Sequence, residues 1–344
     1  MTTRVLLFLL LLAPFSAAAD VLLPPGFTAQ VYVTGEGFDT DAARGVRGIP
    51  STSTIAFDAA GVLYLARTGR RYGGGEEYDL WPIYRIPPGG ARLTPDTERR
   101  YHFGPPLLNS QVTATRRGKD LFVTTFDRER KVGALYRMRD GRAELFAGGT
   151  PPPGTPPLLQ QPEGTAVDAA GNVYVADRLQ GIVVRLDADG RVLDPRYLAV
   201  LRPRLLASDD RGRLWVASDG IAEAPFSQQG PGEIAWIDEA GTSNVVHRGS
   251  VATAMGLSPG GHLFVADRRE GHIFAVTHEG KRVAFAGFTD GDAPRSLGFA
   301  PITPETQRAG IAGDLFIARI KAGTWMLNEI IRVSGPFDEL MRGR

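Results

Sequence analysis

Charged and polar residues recur just beyond a short apolar phrase: Arg67, Asp127, Asp177-Arg178, Ser218-Asp219, Asp267-Arg268 and Arg319. A second set precedes the phrases, at Ser110-Gln111, Gln161-Pro162-Glu163 and Arg295-Ser296. Arginines and carboxylates arrayed around a concave surface suit a small polar or anionic ligand. The candidate ligand-binding residues are therefore Arg67, Gln111, Asp127, Glu163, Asp177, Arg178, Asp219, Asp267, Arg268 and Arg319, with Arg71 and Tyr72 from the long insertion Thr68 to Trp81. A second insertion, Gly220 to Gly230, rises from the same face. Asp177-Arg178 and Asp267-Arg268 also admit a structural role, because an acid at this point can pair with a neighbouring Arg or a backbone amide. Arg67 and Arg319 replace that acid in their own copies, which weakens the structural role for them.

The elements that position these residues are six copies of one phrase: a short strand, a Gly-centred turn, then an alternating strand. The clearest copy runs from Gly164 to Asp177, and Ser53 to Ala66 matches it almost position for position. Ala207 to Ala217 and Gly256 to Ala266 follow the same plan, and Gly118 to Thr124 and Gly313 to Ala318 are degraded versions. The branched or Leu residues Leu65, Val123, Val175, Val216, Val265 and Ile317 mark the phrase. They recur about every 40–60 residues, close to the spacing of propeller blades. The apolar period within each copy is 2, so both sheet faces are apolar, as in a blade packed between two neighbours. Third and fourth strands follow, as at Gly181 to Asp187 and Tyr197 to Leu201.

The sixth copy lacks a fourth strand. Phe27 to Val33, near the other end of the chain, has the wording of the missing piece. The expected fold is all-β, a six-bladed β-propeller of four-stranded blades whose ring is closed by the N-terminal strand. Closure of this kind covers an edge that would otherwise invite aggregation.

The repeats resemble those of NHL-repeat proteins, closely at Gly164 to Asp177 and fairly at Ser53 to Ala66 and Gly256 to Asp267. Leu23-Pro-Pro-Gly-Phe27 and Gly313-Asp-Leu-Phe-Ile-Ala318 resemble the soluble quinoprotein glucose and sorbosone dehydrogenase-like group. The resemblance implies the propeller fold. It does not imply one reaction, because propellers host lactonases, lyases, quinoproteins and scaffolds. The family's catalytic His motif is absent, which argues against pyrroloquinoline quinone (PQQ) as cofactor. His102 and His247 fall on outer strands, His262 and His278 in turns, and His272 at the start of a third strand away from the channel axis. These histidines lack metal-ligand spacing, no thiolate exists for zinc, and no nucleophile elbow anchors a Ser-His-Asp triad. Gly73-Gly74-Gly75 lacks the Lys-Ser/Thr of a phosphate loop. Glu163, Asp127 and Asp219 are the oxygen donors from which a lactonase-like Ca²⁺ site would be built. The sequence assigns neither a catalytic residue nor a metal.

Residues 1–19 read as a signal peptide: Arg4, an apolar run from Val5 to Phe15, then Ala17-Ala18-Ala19 before Asp20. Residues 20–344 form the propeller domain, and no later segment has the length of a membrane span. A periplasmic or secreted, monomeric protein is expected. Cysteine is absent, so disulfides and lipoprotein attachment are excluded. Without Arg4 the 38 acids face an equal number of bases, and no overall field attracts nucleic acid. Two functions remain open. One is a propeller that binds a small polar, sugar-like ligand or a protein partner at its channel face. The other is an enzyme acting on a carbohydrate or lactone.

Overall fold

The computed structural model describes residues 21–38, 44–67, 80–114, 120–220, 232–277, 280–324 and 327–342. The signal-peptide segment and Arg71, Tyr72 and His278 lie outside the described residues.

Six antiparallel sheets surround one axis. Blade 1 comprises Thr52–Phe57, Leu63–Arg67, Trp81–Ile86 and His102–Leu107, from inner to outer strand. Blade 2 runs Gln111–Ala114, Leu121–Asp127, Val132–Arg139 and Arg142–Gly148. Blade 3 runs Pro162–Val167, Val173–Asp177, Ile182–Leu186 and Val192–Ala199. Blade 4 runs Pro203–Ser208, Leu214–Ser218, Gly232–Ile237 and Ser243–Ser250. Blade 5 follows with Ala252–Leu257, Leu263–Asp267, His272–Val276 and Arg282–Phe288. Blade 6 contributes Ala293–Phe299, Leu315–Ile320 and Leu327–Ser334, and Thr28–Gly35 is its outer strand. Val31 stands opposite Ile331 and Ala29 opposite Val333, so the start of the described chain closes the ring.

The period of 2 decides how the blades stack. In blade 3, Val173 and Val175 pack with Phe122 and Leu135 of blade 2, whereas Tyr174 and Ala176 pack with Leu206 and Val216 of blade 4. Blade 1 does the same with Leu63 and Leu65 toward blade 6 and Tyr64 and Ala66 toward blade 2. Each pair of neighbouring blades thus encloses its own apolar cluster, and the core is a ring of such layers. One-residue slips are disfavoured because they would exchange the two faces.

The turn between inner and second strands is built by an acid. Asp58, Asp168 and Asp209 each accept two backbone N–H groups with one oxygen, at 2.8–3.0 Å. The other oxygen accepts from Tyr64 Oη (3.2 Å), Tyr174 Oη (3.1 Å) and Trp215 Nε1 (2.9 Å) respectively. Gly61, Gly171 and Gly212 take the positive φ that these turns require.

Two strands extend the four-stranded plan. Val21–Leu22 adds to the outer edge of blade 5, and Ala91–Leu93 pairs in parallel with the closing strand of blade 6. Helix is confined to Pro304–Arg308, Phe337–Arg342 and a 3₁₀ turn, Glu98–Tyr101. None of the described helices is long and apolar enough to cross a membrane. Phe337 meets Phe27, Phe285 and Phe299 at ring-centroid distances of 5.0–5.6 Å, bringing both ends of the described chain onto blades 5 and 6.

The Asp209 turn is open to a pH test. Burial opposes its ionisation, but hydrogen bonds from Trp215 and Arg213 outweigh that penalty and hold its carboxyl below the usual range. The ionised form therefore contributes stability above the unfolded value of about 3.9, and the contribution is lost as pH falls through the folded value. Asp209→Asn should be less stable at neutral pH and should lose less stability than wild type between pH 4 and 2 (approximate limits). Urea unfolding at several pH values measures both.

Candidate ligand-binding site at the channel mouth

The six inner strands enclose a channel of about 450 Å³. At one end, five of them slip register near their second residue, which falls between the paired positions of the ladder. Such a shift bends the strand and re-aims a side chain. The residues in these shifts include Ser53, Glu163, Arg204, Thr253 and Arg295, and Gln111 opens the inner strand of blade 2. In blades 3, 4 and 6 the preceding residue is Pro162, Pro203 or Pro294. Proline has no N–H to give the ladder, so regular pairing begins one step later.

Glu163 is the centre of this mouth. Its side chain is 8% exposed, and it accepts from Gln161 Nε2 at 2.9 Å and from Gln111 Nε2 at 3.4 Å. Arg204 Nε lies 3.2 Å from its second oxygen, and Arg178 Nη1 lies 3.8 Å from its first. Arg178 reaches across the blade boundary and donates through Nε and Nη2, both at 2.8 Å, to Asp219 of blade 4. Asp219 is 3% exposed, and its other oxygen is 3.6 Å from Arg204 Nη1. Thr124 of blade 2 donates to the Glu163 carbonyl at 2.7 Å. Blades 2, 3 and 4 are thereby tied together by one polar network, in which Gln111 and Glu163 line the channel itself. Arg268 of blade 5 borders it: burial lowers its guanidinium pKa, and the charge of Arg204 lowers it further.

The other sequence-predicted residues take different places. Asp177 is fully buried and accepts from the backbone of Gln160 (2.5 Å), Gln161 (3.3 Å) and Gln180 (3.0 Å), holding the connection into blade 3. Asp267 accepts the Arg269 and Glu270 amides at 2.9 and 3.2 Å. Asp127 accepts the Glu129 and Arg130 amides, both at 3.0 Å, on an open turn. Arg67 is buried over the Trp81 ring at 3.9 Å and donates to Tyr84 Oη at 2.8 Å. Glu98 accepts from the same hydroxyl, whose pKa is pushed far up, chiefly by burial. Arg319 is buried between Glu329 (2.6 Å) and Asp292 (3.3 Å), and Glu329 in turn accepts from Thr34 of the closing strand at 2.8 Å. Arg67 and Arg319 therefore brace blades 1 and 6.

The donor set expected for Ca²⁺ does not assemble. Glu163 and Asp219 face arginines, Asp127 caps a separate turn, and no group of three or more His, Asp or Glu side chains gathers at metal spacing among the described residues. Nor do any of the described histidines line the channel. Sequence reasoning missed Arg204. The signal was there in Pro162-Glu163, Pro203-Arg204 and Pro294-Arg295, a proline followed by a charge at each of three strand starts.

No family model matches this sequence, and no curated protein matches it either. Solved structures do share the fold. A gluconolactonase from Xanthomonas campestris is 15% identical, covering 93% of this chain and 97% of that one, with a TM-score of 0.57. The PQQ-bound aldose sugar dehydrogenase of Streptomyces coelicolor is 14% identical over 91% of this chain and 100% of that one, with a TM-score of 0.53. A putative oxidoreductase (glucose dehydrogenase) from Thermus thermophilus is 15% identical over 90% and 100%, with the same TM-score of 0.53. Similarity at this level is similarity of the six-bladed fold.

Removing Asp219 leaves Arg178 with a buried, uncompensated charge. Asp219→Ala should cost about 3–5 kcal/mol of unfolding free energy. Arg130→Ala, which breaks the exposed pair with Asp127, should cost about 0–1 kcal/mol. Chemical denaturation of the two variants compares them directly.

Proposed function

We propose that this chain is an exported, NHL-like six-bladed propeller, periplasmic or secreted, that binds a small sugar-like ligand at its channel mouth. The observation that carries the reading is the network of Glu163, Arg178, Arg204 and Asp219, with Gln111, at the end of a channel of about 450 Å³. That volume falls in the ~300–1,000 Å³ range of small-molecule sites. A hydroxylated ligand offers donors and acceptors together, which suits carboxylate, guanidinium and carboxamide groups held at fixed positions. Prior fixation matters because side chains already ordered lose little entropy on binding. The gluconolactonase and sugar dehydrogenases that share the fold make carbohydrates the first class to test. Commitment of both carboxylates to arginine favours binding over metal-assisted hydrolysis, and the reading assigns no reaction.

Thermal unfolding of the mature chain, starting at Asp20, with a panel of neutral and acidic monosaccharides tests this. A ligand of the folded state should raise Tm with concentration, by the mass-action dependence expected for one site. Glu163→Gln should weaken that response. The absence of any shift at millimolar sugar would overturn the proposal.

A further inference from the structure

We infer that the ligand of this mouth is a sugar acid rather than a neutral sugar, and that Arg268 selects its carboxylate. The inference rests on reading the mouth as a small-ligand site, and it specifies the ligand's charge.

The mouth is electrostatically lopsided. Arg178, Arg204 and Arg268 come from three successive blades, 3, 4 and 5, and Arg295 continues the arc at the register shift of blade 6. The opposite arc is neutral: Ser53 of blade 1 donates to the Ser110 carbonyl at 2.6 Å, and Gln111 of blade 2 presents its carboxamide. Glu163 and Asp219 lie between Arg178 and Arg204, so the acidic side chains concentrate at the boundary of blades 3 and 4. At the boundary of blades 4 and 5, two guanidinium groups approach closely enough for Arg204 to disfavour the charge on Arg268, which burial already disfavours. An anion there relieves both penalties, since it supplies opposite charge and hydrogen-bond acceptors in one group. A neutral hydroxyl supplies only the second. The carboxylate of an aldonate or uronate would therefore occupy the arginine arc, with its hydroxylated carbons toward Glu163 and Gln111.

Calorimetric titration of the mature protein with D-gluconate, D-glucose and acetate separates the outcomes. Gluconate should bind at least about tenfold more tightly than glucose, the factor set by one charge-assisted hydrogen bond. Arg268→Gln should remove that advantage without altering glucose binding, and Arg268→Lys should restore part of it. The unliganded melting temperature of each variant reports whether it folds; if Arg268→Gln does not fold, Arg268→Lys must still show reduced discrimination. Equal binding of gluconate and glucose would overturn the inference and leave the sugar site standing. Acetate binding as tightly as gluconate would mean a plain anion site and would also overturn it. Full gluconate preference in Arg268→Gln would remove Arg268 from the role. Failure of all three ligands to bind would overturn the inference together with the reading beneath it.

Discussion

Two carboxylates, Glu163 and Asp219, are withdrawn from water between blades 3 and 4, and each faces guanidinium groups from both blades. Desolvating such charges costs several kcal/mol per ion, so the pair remains ionised only where opposite charges and hydrogen bonds surround it. An apolar replacement of equal volume would serve stability nearly as well. What the network adds is definition. The arrangement that satisfies Glu163, Arg178, Arg204 and Asp219 together also fixes where the inner strands of both blades begin. The same four groups form one wall of the channel mouth, which makes the chemistry of the site and the joining of the blades a single constraint.

That constraint depends on a repeated strand design. An acid and a glycine set the far turn of blades 1, 3 and 4, so the second strand returns in a fixed register. At the near end, the register shift frees one residue per inner strand from the ladder in five blades. Ring closure holds the set together. The pairing of Thr28–Gly35 with Leu327–Ser334 joins the beginning of the described chain to blade 6, and Arg319, Glu329 and Thr34 lock the seam.

The architecture was legible because every blade repeats the same information. Alternation placed Val175 and Tyr174 on opposite faces, and the missing outer strand of the sixth copy could be matched to Phe27 to Val33. The added strands, Val21–Leu22 and Ala91–Leu93, were not legible: each is two or three residues long and pairs with a distant edge that no local pattern names. The mouth was read in part. Gln111, Glu163, Arg178 and Asp219 come together as one cluster, but Arg204 escaped because a one-residue shift, and not strand alternation, brings it there. Arg67 and Arg319 stood out as replacements for an acid, yet sequence position could not show that Glu98 and Glu329 wait within reach in the same blades. A long side chain at a strand end can turn to the axis or back into its own sheet, and the choice belongs to its partner.

The most direct test of the central claim is a double-mutant cycle across the blade 3–4 boundary, with Glu163→Gln, Arg204→Gln and the combined variant compared in urea unfolding. The account predicts a coupling energy of about 0.5–3 kcal/mol, the double variant being less destabilised than the sum of the singles. Additivity within about 0.3 kcal/mol would contradict it, because the two side chains would then not sense one another.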